Sequence, residues 1–140
     1  MKSYDLGYCG EESAALYLEK NGYTVLARRM RIGHSEIDIL ARDTDGTTVF
    51  VEVKTRRMLP EKAGFYSTAS AAVNDKKQSF LVRAAEEYLL THTDENVRID
   101  VIEIYADPTS ETYRVTDTIH IKNAVRKNGK FSMKKNKYRW

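Results

Sequence analysis

The sequence predicts an α/β fold in which helices flank a mixed β-sheet on one or both faces. Three observations lead to this prediction. The chain has 140 residues, of which 41% are hydrophobic, and this is enough to bury one core. Two segments carry apolar residues at helical spacing, and five have the composition of strands. Their order is α-β-β-β-α-β-β, in which a helix separates the third strand from the fourth and so favours a mixed sheet.

The first half of the chain is predicted to form one helix and three strands. The helix covers residues 10–21, with acidic residues in its first turn and an Asn-Gly stop signal at its end. The segment 23–32, YTVLARRMRI, follows as a strand with interleaved basic residues. Two more strands, at about 36–42 and 47–56, are separated by a short turn.

The second half begins with a segment of uncertain order at 57–72, which contains proline, glycine and many small polar residues. A second helix is predicted over residues 74–92, because Asn74 can cap it and an apolar stripe follows. Two strands, at 97–106 and 113–121, are separated by the turn sequence DPTSE.

Composition excludes several classes of protein. No apolar run reaches the roughly 18–20 residues of a membrane span, and the first residues lack the apolar stretch of a secretory signal. The one cysteine, Cys9, cannot form an internal disulfide, so we expect a cytoplasmic location. No glycine-rich phosphate loop of a recognised spacing supports a nucleotide enzyme.

The charge is unevenly distributed along the chain. Residues 126–140 hold seven Lys/Arg and no acid, whereas residues 1–125 carry 16 basic and 20 acidic groups. We therefore expect a domain at 1–125 and a flexible basic tail at 126–140. Three aromatic residues in this tail could stack on bases while its lysines contact phosphates. The alternative is a solvated terminus that only aids solubility.

The hairpin between the second and third strands has one register that satisfies its hydrophobic pattern. The aliphatic side chains of both strands share a face only if paired residue numbers have an even sum. A three-residue loop at 44–46 meets this condition, and it places Gly46 where a positive φ is required. With this register, Asp38 lies opposite Glu52.

Two carboxylates that face each other across a sheet repel, so a pair in this position requires a counter-ion. The same register places Lys54 on the face of Glu52 and opposite Glu36. Mg²⁺ is a hard cation that binds through one or two carboxylates and retains water. It would activate water and neutralise charge on a phosphodiester. The alternative is an exposed hairpin face with a weak Glu36–Lys54 ion pair.

Glu11 is a further candidate for this site. It begins the predicted first helix on the same stripe as Ala14 and Leu18, so its side chain is expected to point inward. A carboxylate at a helix N-terminus is favoured by the helix dipole. Glu11 could therefore supply a third carboxylate, and the alternative is an ordinary charge in the first turn.

Six segments of the chain also occur in a specific order and spacing: GEESAALYLEKNGYTVLARRMR, EIDILARD, VFVEVKTR, AVNDKKQSFLVRAAEEYL, RIDVIEI and IHIKNAV. Together they resemble the bacterial YraN-like family. This uncharacterised group is assigned to the restriction-endonuclease-like PD-(D/E)xK nuclease superfamily and is similar to archaeal Holliday-junction resolvases. The resemblance extends from about Gly10 to Val125.

The resemblance implies an α-β-β-β-α-β core with an added C-terminal strand and a phosphodiesterase site that depends on Mg²⁺ or Mn²⁺. It matches Asp38 to the metal-binding Asp, and Glu52 and Lys54 to the Glu-x-Lys pair. It matches Glu11 to the helix-borne Glu that resolvase-like members add. Lys77 matches a basic position on the second helix where a DNA contact is expected, and a solvated lysine is the alternative there.

The resulting hypothesis is a cytoplasmic, metal-dependent endonuclease that acts on DNA, such as branched or damaged DNA in recombination or repair. Arg31 and Arg56 are expected to contact the bound nucleic acid together with Lys77. Resolvase-like relatives act as dimers, so the resemblance implies a homodimer; whether a protein partner activates the site is open. The alternative hypothesis is a non-cleaving nucleic-acid-binding or adaptor protein on the same fold.

Overall fold

The computed structural model describes residues 3–57, 74–107, 109 and 113–125. This part of the chain forms two helices and five strands: α1 (Ser3–Lys20), β1 (Thr24–Ile32), β2 (Ser35–Arg42), β3 (Thr48–Arg57), α2 (Asp75–Thr91), β4 (Val97–Asp107) and β5 (Arg114–Val125). The predicted α/β class and the predicted element order α-β-β-β-α-β-β are confirmed. The predicted tail, and the segment predicted at 57–72 beyond Arg57, lie outside the described residues. Neither described helix is long and apolar enough to span a bilayer.

Two elements are longer than the sequence predicts. Helix α1 begins at Ser3 instead of residue 10. Two glycines in its first half weaken the helical pattern there, but Leu6 is buried, as are residues further along the same helix. Strand β5 continues to Val125, because its last residues remain paired with β4. Both extensions depend on tertiary contacts that local propensity does not report.

The five strands form one mixed sheet in the order β1-β2-β3-β4-β5. The β3–β4 pair is parallel and the other three pairs are antiparallel. A parallel pair requires a crossover connection, and α2 lies in the connection between β3 and β4.

Each face of the sheet is covered by one helix. Helix α1 packs on one face, in a cluster that comprises Ala14, Ala15, Leu18, Tyr23, Ile39, Ala41, Val49, Val51, Ile102 and Ile104. Helix α2 packs on the other face, where the buried residues include Leu40, Phe50, Leu81, Ala84, Ala85, Tyr88, Ile99 and Val101. Strand β4 is buried throughout its length, as expected for a strand in a sheet covered on both sides.

The predicted hairpin register is confirmed near the turn. Ile39 pairs with Val51 and Ala41 pairs with Val49, so paired residue numbers have an even sum. The three-residue loop is also confirmed, because the Asp43 amide donates to the Thr47 carbonyl at 2.9 Å. The last loop residue, Gly46, has a φ of 89°, which glycine adopts without steric cost.

A buried charge network on β4 holds the ends of several elements together. The Arg98 side chain is 1% exposed and pairs with Asp100 at 2.9 Å and with Asp43 at 2.9 Å. Its Nη2 donates to the Tyr23 hydroxyl at 2.8 Å. Asp100 also accepts from the Asn123 amide on β5 at 2.8 Å. The network thus links the hairpin, the segment between α1 and β1, β4 and β5.

We predict that Arg98→Met destabilises the protein by about 3–5 kcal/mol, because it removes the buried arginine that pairs with the fully buried Asp100. The measurement is urea unfolding at neutral pH. The matched control is Arg42→Met, which removes an arginine that is 42% exposed in its pair with Glu95 and should cost less than about 1 kcal/mol. Equal losses for both variants would contradict the prediction.

Candidate metal centre

Asp38 lies where strands β2 and β3 stop pairing. The ladder between them ends at Ile39 and Val51. At the next position, the Asp38 carboxylate accepts the backbone amide of Val53 at 2.8 Å. A side-chain oxygen therefore replaces the main-chain acceptor that a continued strand would have provided. This bond fixes the Asp38 carboxylate beside β3.

The predicted opposition of Glu36 and Lys54 is wrong. The β2–β3 ladder ends at Ile39, so Glu36 has no partner on β3 and is paired in the sheet only with Arg31 of β1. Lys54 is instead the ladder partner of Glu103 on β4. No ion pair joins Glu36 to Lys54 among the residues that the structure describes. The register from the turn therefore holds as far as Ile39 and does not extend to residue 36.

Asp38 and Glu52 act on each other through their carboxyl groups, because each contributes to the shift in the other's pKa. The Glu52 side chain is 16% exposed. Its Oε1 atom is buried, and no described residue forms a hydrogen bond with it. Among the residues that the structure describes, its cationic partner is Lys77 on α2, whose Nζ lies 3.7 Å from this oxygen. The pair thus has a buried acceptor that protein groups leave incompletely satisfied.

Burial raises the pKa of both carboxyl groups. Burial raises the pKa of Glu52 to about 8, and the charge of Asp38 acts in the same direction. Lys77 and Lys54 oppose this effect by favouring the ionised Glu52. Burial also raises the pKa of Asp38, with a further contribution from the charge of Glu11, while the hydrogen bond from the Val53 amide lowers it. A cation between the two carboxylates would stabilise their ionised forms.

The lysine of the Glu-x-Lys pair, Lys54, is exposed, and an arginine of the same strand lies near it. Lys54 acts on the pKa of Glu52 through its charge. Arg56 lies two residues further along β3, and its Nε atom is 3.1 Å from Glu103 Oε2. The Glu103 side chain is completely buried, and that of Arg56 is 28% exposed. Glu103 therefore holds the Arg56 guanidinium on the face that carries Glu52.

Two other predicted nucleic-acid contacts occupy different positions. Lys77 is in the first turn of α2, where its amide donates to the Asn74 cap at 2.8 Å, as predicted for this cap. Its ammonium is partly exposed to solvent and also lies beside the carboxyl pair. Arg31 is exposed on β1, at the edge of the sheet that carries β1.

The position of Glu11 differs from the one predicted. Because α1 begins at Ser3, Glu11 lies in the middle of the helix and not at its N-terminus, so the helix-dipole argument does not apply. Its side chain is 16% exposed and faces β1, where Arg29 Nε lies 3.0 Å from its Oε1. Glu12, the next residue, pairs with Arg28. Two ion pairs therefore hold α1 against β1.

Gly10 allows α1 to approach β3 closely beside Glu11. A Cβ at this position would lie 1.9 Å from the Thr55 hydroxyl oxygen. Any other residue would therefore push the helix away from the strand. A glycine just before the acid sets the distance between Glu11 and the sheet.

The donor set fits a hard divalent cation. Two carboxyls lie together and one has an unsatisfied buried oxygen, and Mg²⁺ in proteins is bound through one or two carboxylates with retained water. Within the described ranges, no three His, Cys, Asp or Glu residues are grouped closely enough to hold an ion together. Asp38 and Glu52 are therefore the pair available to a cation, and Glu11 is held apart on Arg29.

Arg28 and Arg29 are expected from the sequence only as residues that could flank a bound backbone, and sequence reasoning missed their ion pairs with α1 as well as the residue Glu103. Glu103 had a local signal, since it is an acid in the otherwise apolar run VIEIYA. The two arginines lie in the strand YTVLARRMRI, and nothing local shows that both turn towards α1. Their partners are 16–18 residues away, so the contacts become visible in the folded chain.

The fold and these side chains define a class: an α/β protein with paired carboxyls and a Glu-x-Lys element where two strands of its sheet separate. The model of "Uncharacterised protein family UPF0102" matches residues 10–104. The UPF0102 protein of Caldicellulosiruptor saccharolyticus is 41% identical over 126 residues, which cover 89% of this chain and 99% of the relative. That of Chlorobium chlorochromatii is 42% identical over 122 residues, covering 86% and 90%. The chain belongs to the UPF0102 family, which confirms the resemblance to the YraN-like group.

Among solved structures, the chain is similar to an EndoMS–double-stranded DNA complex, with a TM-score of 0.39 and 24% identity. It is also similar to a repair endonuclease from Pyrococcus abyssi, with a TM-score of 0.39 and 23% identity. These matches cover 64% and 72% of this chain. The chain spans about a third of the length of those proteins, 34% and 38% respectively.

We predict that the stability of the metal-free protein falls between about pH 5 and pH 8, and that Glu52→Gln reduces this fall. The folded pKa of Glu52, about 8, is above its usual value of 4.5, so the folded state binds more protons than the unfolded state in this interval. The contribution of protonated Glu52 to the free energy of unfolding is complete at low pH and is lost as the pH rises through 8. Urea unfolding in the presence of a chelator measures it.

The control for this pH effect is Glu19→Gln on the exposed side of α1. It should leave the pH dependence of the wild-type protein intact. An identical fall in the Glu52→Gln variant would exclude Glu52 as its source.

We predict opposite effects for two Gly-to-Ala substitutions in α1. Gly10→Ala should destabilise the protein by about 1–3 kcal/mol, because the new Cβ overlaps Thr55. Gly7→Ala meets nothing within 4 Å and should stabilise the helix by up to about 1 kcal/mol. Thermal unfolding of both variants is the measurement, and a stabilised Gly10→Ala would show that α1 does not pack on Thr55 as described.

Proposed function

We propose that this protein is a metal-dependent nuclease that hydrolyses phosphodiester bonds in DNA, with Asp38, Glu52 and Lys54 at its active site. The observation that carries the proposal is the carboxyl pair itself. Two acids are held together where β2 and β3 separate, and a buried oxygen of one lacks a hydrogen-bond donor among the described residues. An unsatisfied buried oxygen costs about 1–3 kcal/mol, and a cation would remove this cost.

Asp38 and Glu52 would hold a Mg²⁺ or Mn²⁺ ion, and Glu11 is the further carboxylate proposed for the same ion. When bound, the ion supplies positive charge that makes a coordinated water more acidic and that neutralises a phosphodiester in the transition state. Asp38 contributes a carboxylate that the Val53 amide keeps in one orientation. Glu52 contributes an oxygen that protein donors leave available.

Lys54 would act on the attacking water and on the phosphate. It is two residues beyond Glu52 on the same face of β3, and its ammonium is exposed to an incoming strand. Hydrolysis joins a water oxygen to phosphorus, breaks one phosphorus–oxygen bond and leaves a proton on the departing oxygen. Lys54 can donate hydrogen bonds to the water and to a non-bridging oxygen, and so lower the barrier electrostatically.

Three basic residues are proposed to bind the nucleic-acid backbone: Lys77, Arg31 and Arg56. Arg56 is the best oriented of the three for a phosphate. The buried Glu103 holds its guanidinium through Nε, and this leaves its other N–H groups to donate to a phosphate. Lys77 lies next to the carboxyl pair and can neutralise a phosphate that reaches it. Branched or damaged DNA in repair or recombination is the substrate class that we propose.

We predict that Asp38→Asn abolishes both Mn²⁺ binding and DNA cleavage, because it removes one of the two carboxylates. Lys54→Met should retain Mn²⁺ binding and lose at least about 100-fold in cleavage rate. Calorimetry measures Mn²⁺ binding, and the products formed from labelled linear, nicked, flapped and four-way DNA measure cleavage. The matched control is Lys20→Met, an exposed lysine at the end of α1, which should behave like the wild-type protein.

The outcomes separate the nuclease from a non-cleaving nucleic-acid-binding protein. Mn²⁺ binding that depends on Asp38, together with cleavage that depends on Lys54, supports the nuclease. DNA binding without any Mn²⁺ binding or cleavage would replace it with the non-cleaving binder.

A further inference from the structure

Arg28 and Arg29 are consecutive in β1, yet both side chains approach the same carboxylate. Successive side chains of a regular strand point to opposite faces of the sheet. Here Arg29 Nε lies 3.0 Å and Arg28 Nη2 lies 4.0 Å from Glu11 Oε1. Arg29 has a φ of 52°, a left-handed conformation that is unfavourable for a residue with a Cβ. The backbone is therefore strained at the residue that holds Glu11.

The ion pair between Arg29 and Glu11 has one exposed and one buried member. The side chain of Arg29 is 53% exposed and that of Glu11 is 16% exposed. Glu11 uses Nε of the guanidinium, and the other N–H groups are suited to a phosphate. A ligand from solvent can therefore reach Arg29 without entering the core.

Glu11 is also close to the carboxyl pair. In the β1–β2 register Arg28 pairs with Ile39 and Met30 with Ile37, so Arg29 lies level with Asp38 and holds Glu11 beside the metal centre. In the free protein, Arg29 offsets the charge of Glu11 through the ion pair. Glu12 does not share this arrangement, because its partner is Arg28.

We propose that Arg29 is a latch that couples nucleic-acid binding to completion of the metal centre. A backbone phosphate that binds the Arg29 guanidinium weakens its bond to Glu11, and the released carboxylate then joins Asp38 and Glu52. This inference rests on the proposed function and adds a form of regulation to the same site. The third carboxylate becomes available when substrate is bound.

The coupling is reciprocal. If DNA raises the affinity for the ion, the ion must raise the affinity for DNA by the same factor. A protein with this latch binds the ion weakly alone and more strongly in the substrate complex, so its hydrolytic centre is complete when a phosphate is present.

The test is Mn²⁺ calorimetry with and without a phosphorothioate DNA duplex, which retains the backbone charge, after subtraction of a titration of the DNA alone. In the wild-type protein, DNA should raise the Mn²⁺ affinity at least about fivefold. Arg29→Asn keeps a residue that tolerates the left-handed conformation and removes the cation. It should raise the Mn²⁺ affinity without DNA by a similar factor and reduce the further effect of DNA.

A general loss of positive charge would also raise the Mn²⁺ affinity, so the variant is measured in two further backgrounds. In Glu11→Gln, Arg29→Asn should leave the Mn²⁺ affinity unchanged, because there is no carboxylate to release. In Glu12→Gln, the matched control one residue away, the effect of Arg29→Asn should persist. Equal effects in all backgrounds would overturn the latch.

Failure of the latch is distinguishable from failure of the proposed function. Mn²⁺ binding that depends on Asp38 but does not respond to Arg29→Asn overturns the latch and leaves the metal centre. The absence of any Mn²⁺ binding that depends on Asp38 overturns both.

Discussion

The bond from the Val53 amide to the Asp38 carboxylate is the constraint on which the site depends. It lies where the ladder between β2 and β3 ends, and it satisfies a backbone donor that the separating strand would otherwise leave unpaired. Because Asp38 is held by β3, its carboxyl stays beside Glu52, and the residues on either side of it, Ile37 and Ile39, are in the core. Beyond this point β2 remains paired with β1 alone, and the sheet opens on the face that carries Lys77 and Glu52.

Much of this arrangement could be predicted from the sequence because it is local. The even register follows from the aliphatic pattern and the loop at 44–46, and both are properties of about twenty consecutive residues. The same argument placed Asp38 beside Glu52. It was wrong for Glu36 and Lys54, because an alternation rule assumes that pairing continues, and nothing in the pattern marks the residue at which two strands separate.

The remaining features are not local and could not be predicted in the same way. Two glycines weaken the helical pattern in the first half of α1, so the sequence does not indicate that the helix begins at Ser3. For the same reason the sequence places Glu11 at a helix N-terminus, which is wrong. The partner of Glu11 depends on the left-handed conformation of Arg29, for which an arginine gives no sequence signal. The Arg98 network joins residues that are up to 75 positions apart, and it becomes apparent when the strands are assembled.

The two clusters of buried charge in this fold differ in a way that indicates their roles. Around Arg98, each carboxylate of the cluster has a cation or a backbone donor within hydrogen-bonding distance, as expected for a cluster that stabilises the fold. Around Glu52, two acids share one face, an oxygen lacks a donor among the described residues, and the Lys77 ammonium is 3.7 Å away. A positive φ occurs beside both clusters, but at Arg98 it falls on Asn123, a residue type that tolerates it, whereas beside Glu11 it falls on Arg29. The unsatisfied oxygen and the strained arginine therefore occur together near Glu52, and such clustering of unfavourable features is typical of functional sites. The carboxyl pair is therefore better explained by what it binds than by what it contributes to stability.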